Sequence, residues 1–173
     1  ALKTMIDNEA SCFYVQQPNY FGNIEDLVAL GEVVHKVKAK YIVGANPIAL
    51  AVLQTPAQAG ADIVAQSTHK ILAAMTQCSM LHCRHDNIDV VKLEKVLSLL
   101  QSTSPNYLLL ASLDLARQQM ATSGKELLDK AITLSCNLRQ AINQIEGLSC
   151  FGREKENIYD LDCTKITVSF KGL

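Results

Sequence analysis

The chain has no block of basic residues. Its 16 Lys and Arg are interspersed with 17 Asp and Glu, for a formal net charge of −1, so it lacks the electrostatic footprint of a nucleic-acid binder. It also lacks an apolar run that could cross a bilayer. The most apolar stretch, residues 41–53, is broken by Gly44, Asn46 and Pro47, whereas a spanning helix needs about 20 apolar residues. Residues 1–20 do not follow the basic-then-apolar order of a signal peptide. A soluble protein is expected. No internal repeat or low-complexity segment is visible. The six cysteines, Cys12, Cys78, Cys83, Cys136, Cys150 and Cys163, include no C-x-x-C pair. Scattered through apolar contexts, they read as buried free thiols of a reducing compartment, the cytoplasm or an organelle matrix. Cys78, His82, Cys83 and His85 could suggest zinc, but alternation along a strand sends Cys78 and His82 to one face and Cys83 and His85 to the other.

What is present is enough apolar material, 49% of 173 residues, for one domain or a large domain with the beginning of a second. Residues 12–16 read as a short buried strand. Asn23 is expected to open a helix to about Val37, with Asp26 as a weak capping-box partner and Ile24, Leu27, Val28, Gly31 and Val34 on its apolar face. Residues 40–44, 62–65 and 79–83 read as further strands. This strand-helix-strand rhythm predicts an α/β fold with a mainly parallel sheet and flanking helices.

The pattern then turns helical. Asp86 or Asn87 is expected to cap a helix to about Leu100, and Ser104-Pro105 to supply an N-cap and a first-turn proline for the next. Ser123 and Glu126 form a capping box for a helix to about Ile145. Leu127, Leu128, Ala131, Leu134, Leu138, Ala141, Ile142 and Ile145 recur at helical spacing on it, which predicts that the Leu134 face is buried. Ile166, Val168 and Phe170 alternate with polar residues as a half-buried strand.

The residues with most chemical content are Ser67-Thr68-His69-Lys70, which end the apolar run Ala61-Asp62-Ile63-Val64-Ala65. Most lysines after strands are solvated. One held at a strand end inside an α/β domain loses ammonium stability on burial and becomes a carbonyl-trapping amine.

Four stretches carry a family resemblance: residues 60–70; Met80-Leu81-His82; the run from Leu100 through Ser102, Thr103, Ser104 and Tyr107 to Asp114; and residues 162–168. In this order they resemble the Orn/Lys/Arg decarboxylases, fold-type-I pyridoxal phosphate enzymes. The resemblance implies an aspartate aminotransferase-like large domain over residues 1–121, partial here, followed over 122–173 by a long connecting helix and the start of a small C-terminal domain. It implies that Lys70 is the Schiff-base lysine, that His69 lies beside the cofactor with Ser67 and Thr68 in the same site, and that Ser102, Thr103 or Ser104 contacts a phosphate across a dimer interface. An amino-acid substrate and a homo-oligomer follow from it.

The first part, Val15-Gln16-Gln17-Pro18-Asn19-Tyr20-Phe21-Gly22 and then residues 24–30, is closer to subunit 1 of the glycine-cleavage decarboxylase, also fold type I. The chain reads either as a chimera with a crossover between about residues 45 and 62, or as a divergent member. In these families an aspartate before the lysine strand pairs with the pyridine nitrogen. The decarboxylase register puts Gly44 there, with Pro47 in place of a ring-stacking histidine, and the glycine-decarboxylase register puts Asn46 there. Asn46 can hydrogen-bond the nitrogen but cannot hold it protonated by charge. An ordinary strand-to-helix turn is the other reading of Asn46-Pro47.

The family's early strands, its phosphate-cupping loop and most of its small domain have no counterpart, so a partial sheet with association-prone edges is expected. Two functions remain open: an impaired or truncated pyridoxal phosphate-dependent decarboxylase, and a non-catalytic α/β scaffold or self-associating module.

Overall fold

A computed structural model describes residues 2–102, 104–153 and 158–171. The chain divides into two compact units, one of residues 1–16 and 26–116, the other of residues 17–25 and 117–173.

In the first unit a short helix α1 (Leu2–Met5) precedes strand β1 (Cys12–Gln17). The chain then passes through a two-residue strand β2 (Asn23–Ile24), which belongs to the second unit, and returns as helix α2 (Leu27–Lys36). Strands β3 (Lys40–Ala45) and β4 (Ile63–Gln66), a one-turn helix α3 (Thr68–Ile71), strand β5 (Met80–Cys83) and helix α4 (Val90–Leu100) follow. The four longer strands form one mixed sheet in the order β1-β3-β4-β5. β3 and β4 are parallel, with Val43 opposite Val64, and β5 runs antiparallel to β4 with His82 opposite Val64. An antiparallel edge strand on such a sheet is common among α/β folds.

Alternation on β3 sends Tyr41, Val43 and Ala45 into the core, where they meet Leu27 and Val34 of α2 and Val64 of β4. Tyr41 and Val34 are fully buried, and the Tyr41 hydroxyl donates to the Leu27 carbonyl at 3.1 Å. Gly31 lets α2 sit this close: a Cβ there would lie 2.9 Å from the Ala59 carbonyl oxygen and 3.1 Å from the Tyr41 ring.

Helix α5 (Tyr107–Asn143) starts in the first unit and contributes residues 117–143 to the second. The second unit also holds strands β6 (Leu148–Cys150), β7 (Asp160–Leu161) and β8 (Val168–Phe170). They form two antiparallel pairs, β2 with β7 and β6 with β8. Arg139 of α5 donates to the carbonyls of Lys165, at 3.1 Å, and Phe151.

Several expected boundaries move, each because a specific hydrogen bond wins. Asn23 does not open a helix. Its N–H donates to the Asn19 side chain at 3.1 Å and its backbone pairs with Leu161, so the helix begins after Asp26, whose carboxylate accepts from the Ala29 N–H at 3.0 Å. Neither Asp86 nor Asn87 caps α4. Asn87 donates its amide to Asp62 at 2.6 Å, and Asp89 caps through the Lys92 N–H at 3.0 Å. Asn106, rather than Ser104, accepts from the first N–H groups of α5, those of Leu108 and Leu109.

The Ser123/Glu126 capping box is unused, because α5 runs straight through it. Gly124 in a helix interior costs only about 1 kcal/mol relative to alanine, less than breaking a 37-residue helix. The face expected to be buried is largely outside: Leu134 is 58% exposed, and Leu127, Leu138 and Ile145 are exposed with it. Phe170 is exposed as well. The thiols are all free, but only Cys78 and Cys150 are buried; Cys163 is half-buried, and Cys12, Cys83 and Cys136 are exposed.

Candidate functional site

The site lies in the first unit, at the end of β4. Its base is set at the strand's other end. Asp62, 2% exposed, accepts through Oδ2 from the Tyr41 N–H at 2.8 Å and from the His35 ring at 3.2 Å, and through Oδ1 from Asn87 at 2.6 Å. Burial pushes this carboxyl up, but the donors from Tyr41, Asn87 and His35 outweigh it and hold it below its ordinary value. Asp62 N–H donates to the Tyr41 carbonyl and its own carbonyl accepts from Arg84 N–H, both at 2.9 Å. The start of β4 is thereby fastened to its neighbours on both sides, and the register carries through to Gln66, whose side-chain oxygen accepts from the His82 ring at 3.0 Å.

After Gln66 the chain turns at Ser67 into α3. His69 is anchored twice to the Cys78 carbonyl, through its backbone N–H at 3.0 Å and Nδ1 at 2.8 Å. A carbonyl only accepts, so Nδ1 carries the proton. Cys78 is held in turn by α5, its thiol lying 3.4 Å from both the Leu109 carbonyl and the Ser112 hydroxyl. The Met75 N–H donates to Ser112 at 3.1 Å. The lysine turn is therefore rigidly based on β4, the 72–79 loop and the first turns of α5.

Within α3, Thr68 takes the inward position, 1% exposed, and its hydroxyl has no hydrogen-bond partner among the described residues. A buried hydroxyl without a partner costs about 1–3 kcal/mol and marks a place where a ligand oxygen could be received. Lys70, two residues on and so on another side of the turn, is exposed, as is Ser67. The sequence led to the expectation of a shielded lysine; the short helix turns it outward instead.

The remaining candidates are placed as follows. Asn46, half-buried, follows β3, and its side-chain oxygen accepts from the N–H groups of Ile48 at 3.0 Å and Ala49 at 3.5 Å. That is the strand-to-helix turn reading. With the oxygen committed, only its amide NH2 could meet a ring nitrogen, and an N–H donor requires that nitrogen to be unprotonated. Ser102 and Ser104, both exposed, bond to each other (Ser104 N–H to Ser102 Oγ, 3.2 Å). No hydrogen bond joins them to the Ser67–Lys70 turn among the described residues, and Thr103 lies outside those residues. Of the imagined zinc cluster, Cys78 is committed to α5, His82 to Gln66, and His85 to Asp86 at 2.7 Å.

Sequence reasoning passed over Tyr14. Its ring lies across β3 at Gly44, where an added Cβ would fall 2.1 Å from the phenol oxygen. The seat at which the decarboxylase register expects a carboxylate is thus overlain by a phenol. The adjacency of β1 and β3 puts it there, and no local signal announces it.

Comparison with known proteins gives this geometry a context. Residues 2–172 match the family described as Orn/Lys/Arg decarboxylase, major domain. The chain belongs to that family. The arginine decarboxylase of Bacillus subtilis (strain 168) is 36% identical over 177 residues, covering 95% of this chain and 35% of that protein. The chain thus spans about a third of the length of the arginine decarboxylases it matches. The probable glycine dehydrogenase (decarboxylating) subunit 1 of Shouchella clausii is 45% identical over 64 residues, 37% of this chain and 14% of that protein. Among solved structures, the glycine decarboxylase P-protein of the glycine cleavage system superposes with a TM-score of 0.64 at 18% identity, over 88% of this chain and 42% of that one. The fold is that of the fold-type-I enzymes, as the sequence implied. No helix among the described residues is long and apolar enough to cross a membrane.

Homologues in the Orn/Lys/Arg decarboxylase and glycine decarboxylase families depend on pyridoxal phosphate, the cofactor that the resemblance implied. The residues present fit part of it. An amine on Lys70, hydroxyls on Ser67 and Thr68, the latter buried and unpartnered, and the fixed imidazole of His69 stand within four consecutive positions. That donor set suits a phosphorylated aromatic aldehyde. At the two positions where the family registers expect the ring-nitrogen aspartate, the chain has Asn46 and Gly44, the latter overlain by the Tyr14 phenol.

Proposed function

We propose that the chain is the lysine-bearing part of a pyridoxal phosphate-dependent amino-acid decarboxylase, with Lys70 as the amine that condenses with the cofactor aldehyde. The buried hydroxyl of Thr68, without a hydrogen-bond partner among the described residues and two positions before Lys70 on a turn fixed by His69 and Cys78, carries this reading. When bound, the cofactor supplies an electron sink for the pair left by loss of carbon dioxide. In this reading Ser67 and Thr68 receive the phosphate, His69 flanks the ring with its tautomer set by the Cys78 carbonyl, and Asn46 donates toward the ring nitrogen. Ser102, Thr103 and Ser104 serve the phosphate of a partner subunit in a homo-oligomer. The substrate is an amino acid, of the basic class by family.

A neutral partner at the ring nitrogen weakens the sink, so turnover by this chain is expected to be weak or absent. The commitment of the Asn46 oxygen to the Ile48 and Ala49 N–H groups, as in an ordinary strand-to-helix turn, favours a second reading, a scaffold or self-associating module of the same fold without catalysis.

The test is to titrate the chain with pyridoxal phosphate and follow the visible absorption that a lysine adduct produces. Saturation at one cofactor per chain, lost in Lys70→Ala, supports the proposal. A spectrum unchanged in Lys70→Ala removes Lys70 from the site. Robust carbon dioxide release from an amino acid would refute the expected impairment, and saturable binding without release would favour the scaffold.

A further inference from the structure

Within the second unit, α5 carries two stripes of residues, and only one of them serves that unit. Leu128, Ile132, Ser135, Arg139 and Ile142 are buried or half-buried. This stripe holds the helix to its own unit: the Ser135 hydroxyl donates to the Cys163 carbonyl, and Arg139 donates to the carbonyls of Lys165 and Phe151. The other stripe is apolar and lies outside. Its members are Leu127, Ala131, Leu134, Leu138, Ala141 and Ile145, all exposed. The four large side chains among them are each 46–58% exposed. Ile145 carries the stripe onto the turn that closes the helix, where its N–H donates to the Ile142 carbonyl at 3.1 Å.

The spacing of the exposed stripe is strict. Leu127, Leu134 and Ala141 repeat every seven residues, and Ala131, Leu138 and Ile145 repeat every seven between them. That is the a/d pattern by which one helix seats against another, narrower than the face a helix presents to a globular core. The stripe is also symmetric about its midpoint. Turned end for end about residue 136, it sets Leu127 against Ile145, Ala131 against Ala141 and Leu134 against Leu138, so large side chains meet large and small meet small. The flank matches in charge. Lys130, exposed beside the seam, falls level with residue 142 of such a copy. Helical side chains lean toward their own N-terminus, which carries the Lys130 ammonium toward the exposed Glu146 of the copy. Ser123, Asn137 and Gln144, the other residues of that flank, are uncharged, and Glu126 sits further round the helix. A parallel copy would instead bring Lys130 level with Lys130 and Glu146 level with Glu146, without an opposite charge for either.

We propose that this stripe is the docking surface for a second copy of the chain, the two α5 helices pairing antiparallel about residue 136 with Lys130 of each copy against Glu146 of the other. The proposal does not rest on the cofactor reading, and its residues belong to the second unit, whereas Ser102 and Ser104 belong to the first. A single helix seam is smaller than the standard stable interface of about 800 Å² per partner. The pairing is therefore reversible: through this surface the dilute chain is single and the concentrated chain is paired.

The experiment is sedimentation equilibrium of the full chain over micromolar to millimolar concentrations, repeated on three variants. Leu134→Asp puts two carboxylates into the centre of the seam and should raise the dissociation constant by about tenfold or more. Because Leu134 is exposed in the single chain, this variant keeps its fold, which denaturant melts of dilute protein check. Lys130→Glu sets a carboxylate against Glu146 and should weaken pairing by about threefold. Lys130→Glu combined with Glu146→Lys should restore it to within about twofold of the parent. A chain that shows no association across the range would overturn the proposal. So would association that persists unchanged in Leu134→Asp, since it would belong to another surface, and so would a charge exchange that fails to restore what Lys130→Glu loses.

Discussion

Replacing Asp62 with alanine removes the acceptor for three donors, and their surroundings differ enough to work out the cost. Tyr41 N–H lies in the core, where water cannot replace the lost carboxylate. A buried donor left unsatisfied costs about 1–3 kcal/mol. His35 and Asn87 are exposed and can turn to water, so each loses only the net value of a hydrogen bond, about 1 kcal/mol. Removing a buried charge returns part of its desolvation cost. The balance is a loss of about 2–4 kcal/mol at pH 7.

The pH dependence has a definite sign. The folded-state pKa of Asp62 lies below its ordinary 3.8, so the stabilisation from its charge is complete above the unfolded-state value and disappears as pH falls through the lower folded-state value. Urea melts of the parent and Asp62→Ala should therefore differ by a constant amount from pH 7 down to about 4 and converge below it. A difference under about 0.5 kcal/mol at pH 7, or one that widens as pH falls from 4 to 3, would refute the assigned hydrogen bonding. Because Asp62 fixes the start of β4 and the Ser67–Lys70 turn follows its end, the same variant should also weaken pyridoxal phosphate binding, read by absorbance titration.

Gly31→Ala would force a Cβ to 2.9 Å from the Ala59 carbonyl oxygen. It should destabilise the first unit by about 1–3 kcal/mol in denaturant melts, and an unchanged midpoint would show that α2 can slide. Leu134→Asp should be nearly silent, within about 1 kcal/mol, because Leu134 is 58% exposed; a large loss would show that its face is covered in solution. Gly44→Asp should fail to improve cofactor binding while the Tyr14 phenol overlies that position, and Gly44→Asp with Tyr14→Ala should bind more tightly by titration. Equal affinity in the two variants would place the ring nitrogen elsewhere and turn attention to Asn46→Asp.

The parts of this chain that were legible in the sequence are those fixed by near neighbours along it. Alternating residues in β3 announce a strand because every second side chain must find the same core, and Ser67-Thr68-His69-Lys70 is readable because four adjacent residues carry the chemistry. Where two local solutions compete, the decision comes from far along the chain. Asn23 and Asp26 are both good caps; the second wins because Leu161 claims the backbone of the first. Asn87 is drawn out of capping by Asp62, whose part as a buried acceptor cannot be read from an apolar run in which it looks like a strand residue. The Tyr14 phenol over Gly44 belongs to the same class, since it depends on β1 lying next to β3. Lys70 joins both kinds of information. Its place after the strand is local, but its exposure results from a one-turn helix that buries Thr68 instead. The turn thus offers an exposed amine on Lys70 and, two residues earlier, a buried Thr68 hydroxyl that has no hydrogen-bond partner among the described residues. Under the function proposed above, a phosphorylated aldehyde would bring an oxygen to Thr68 and a second subunit would cover Lys70, so Thr68→Val should weaken the saturable binding of pyridoxal phosphate that Lys70→Ala abolishes, and equal affinity in Thr68→Val would remove Thr68 from the site.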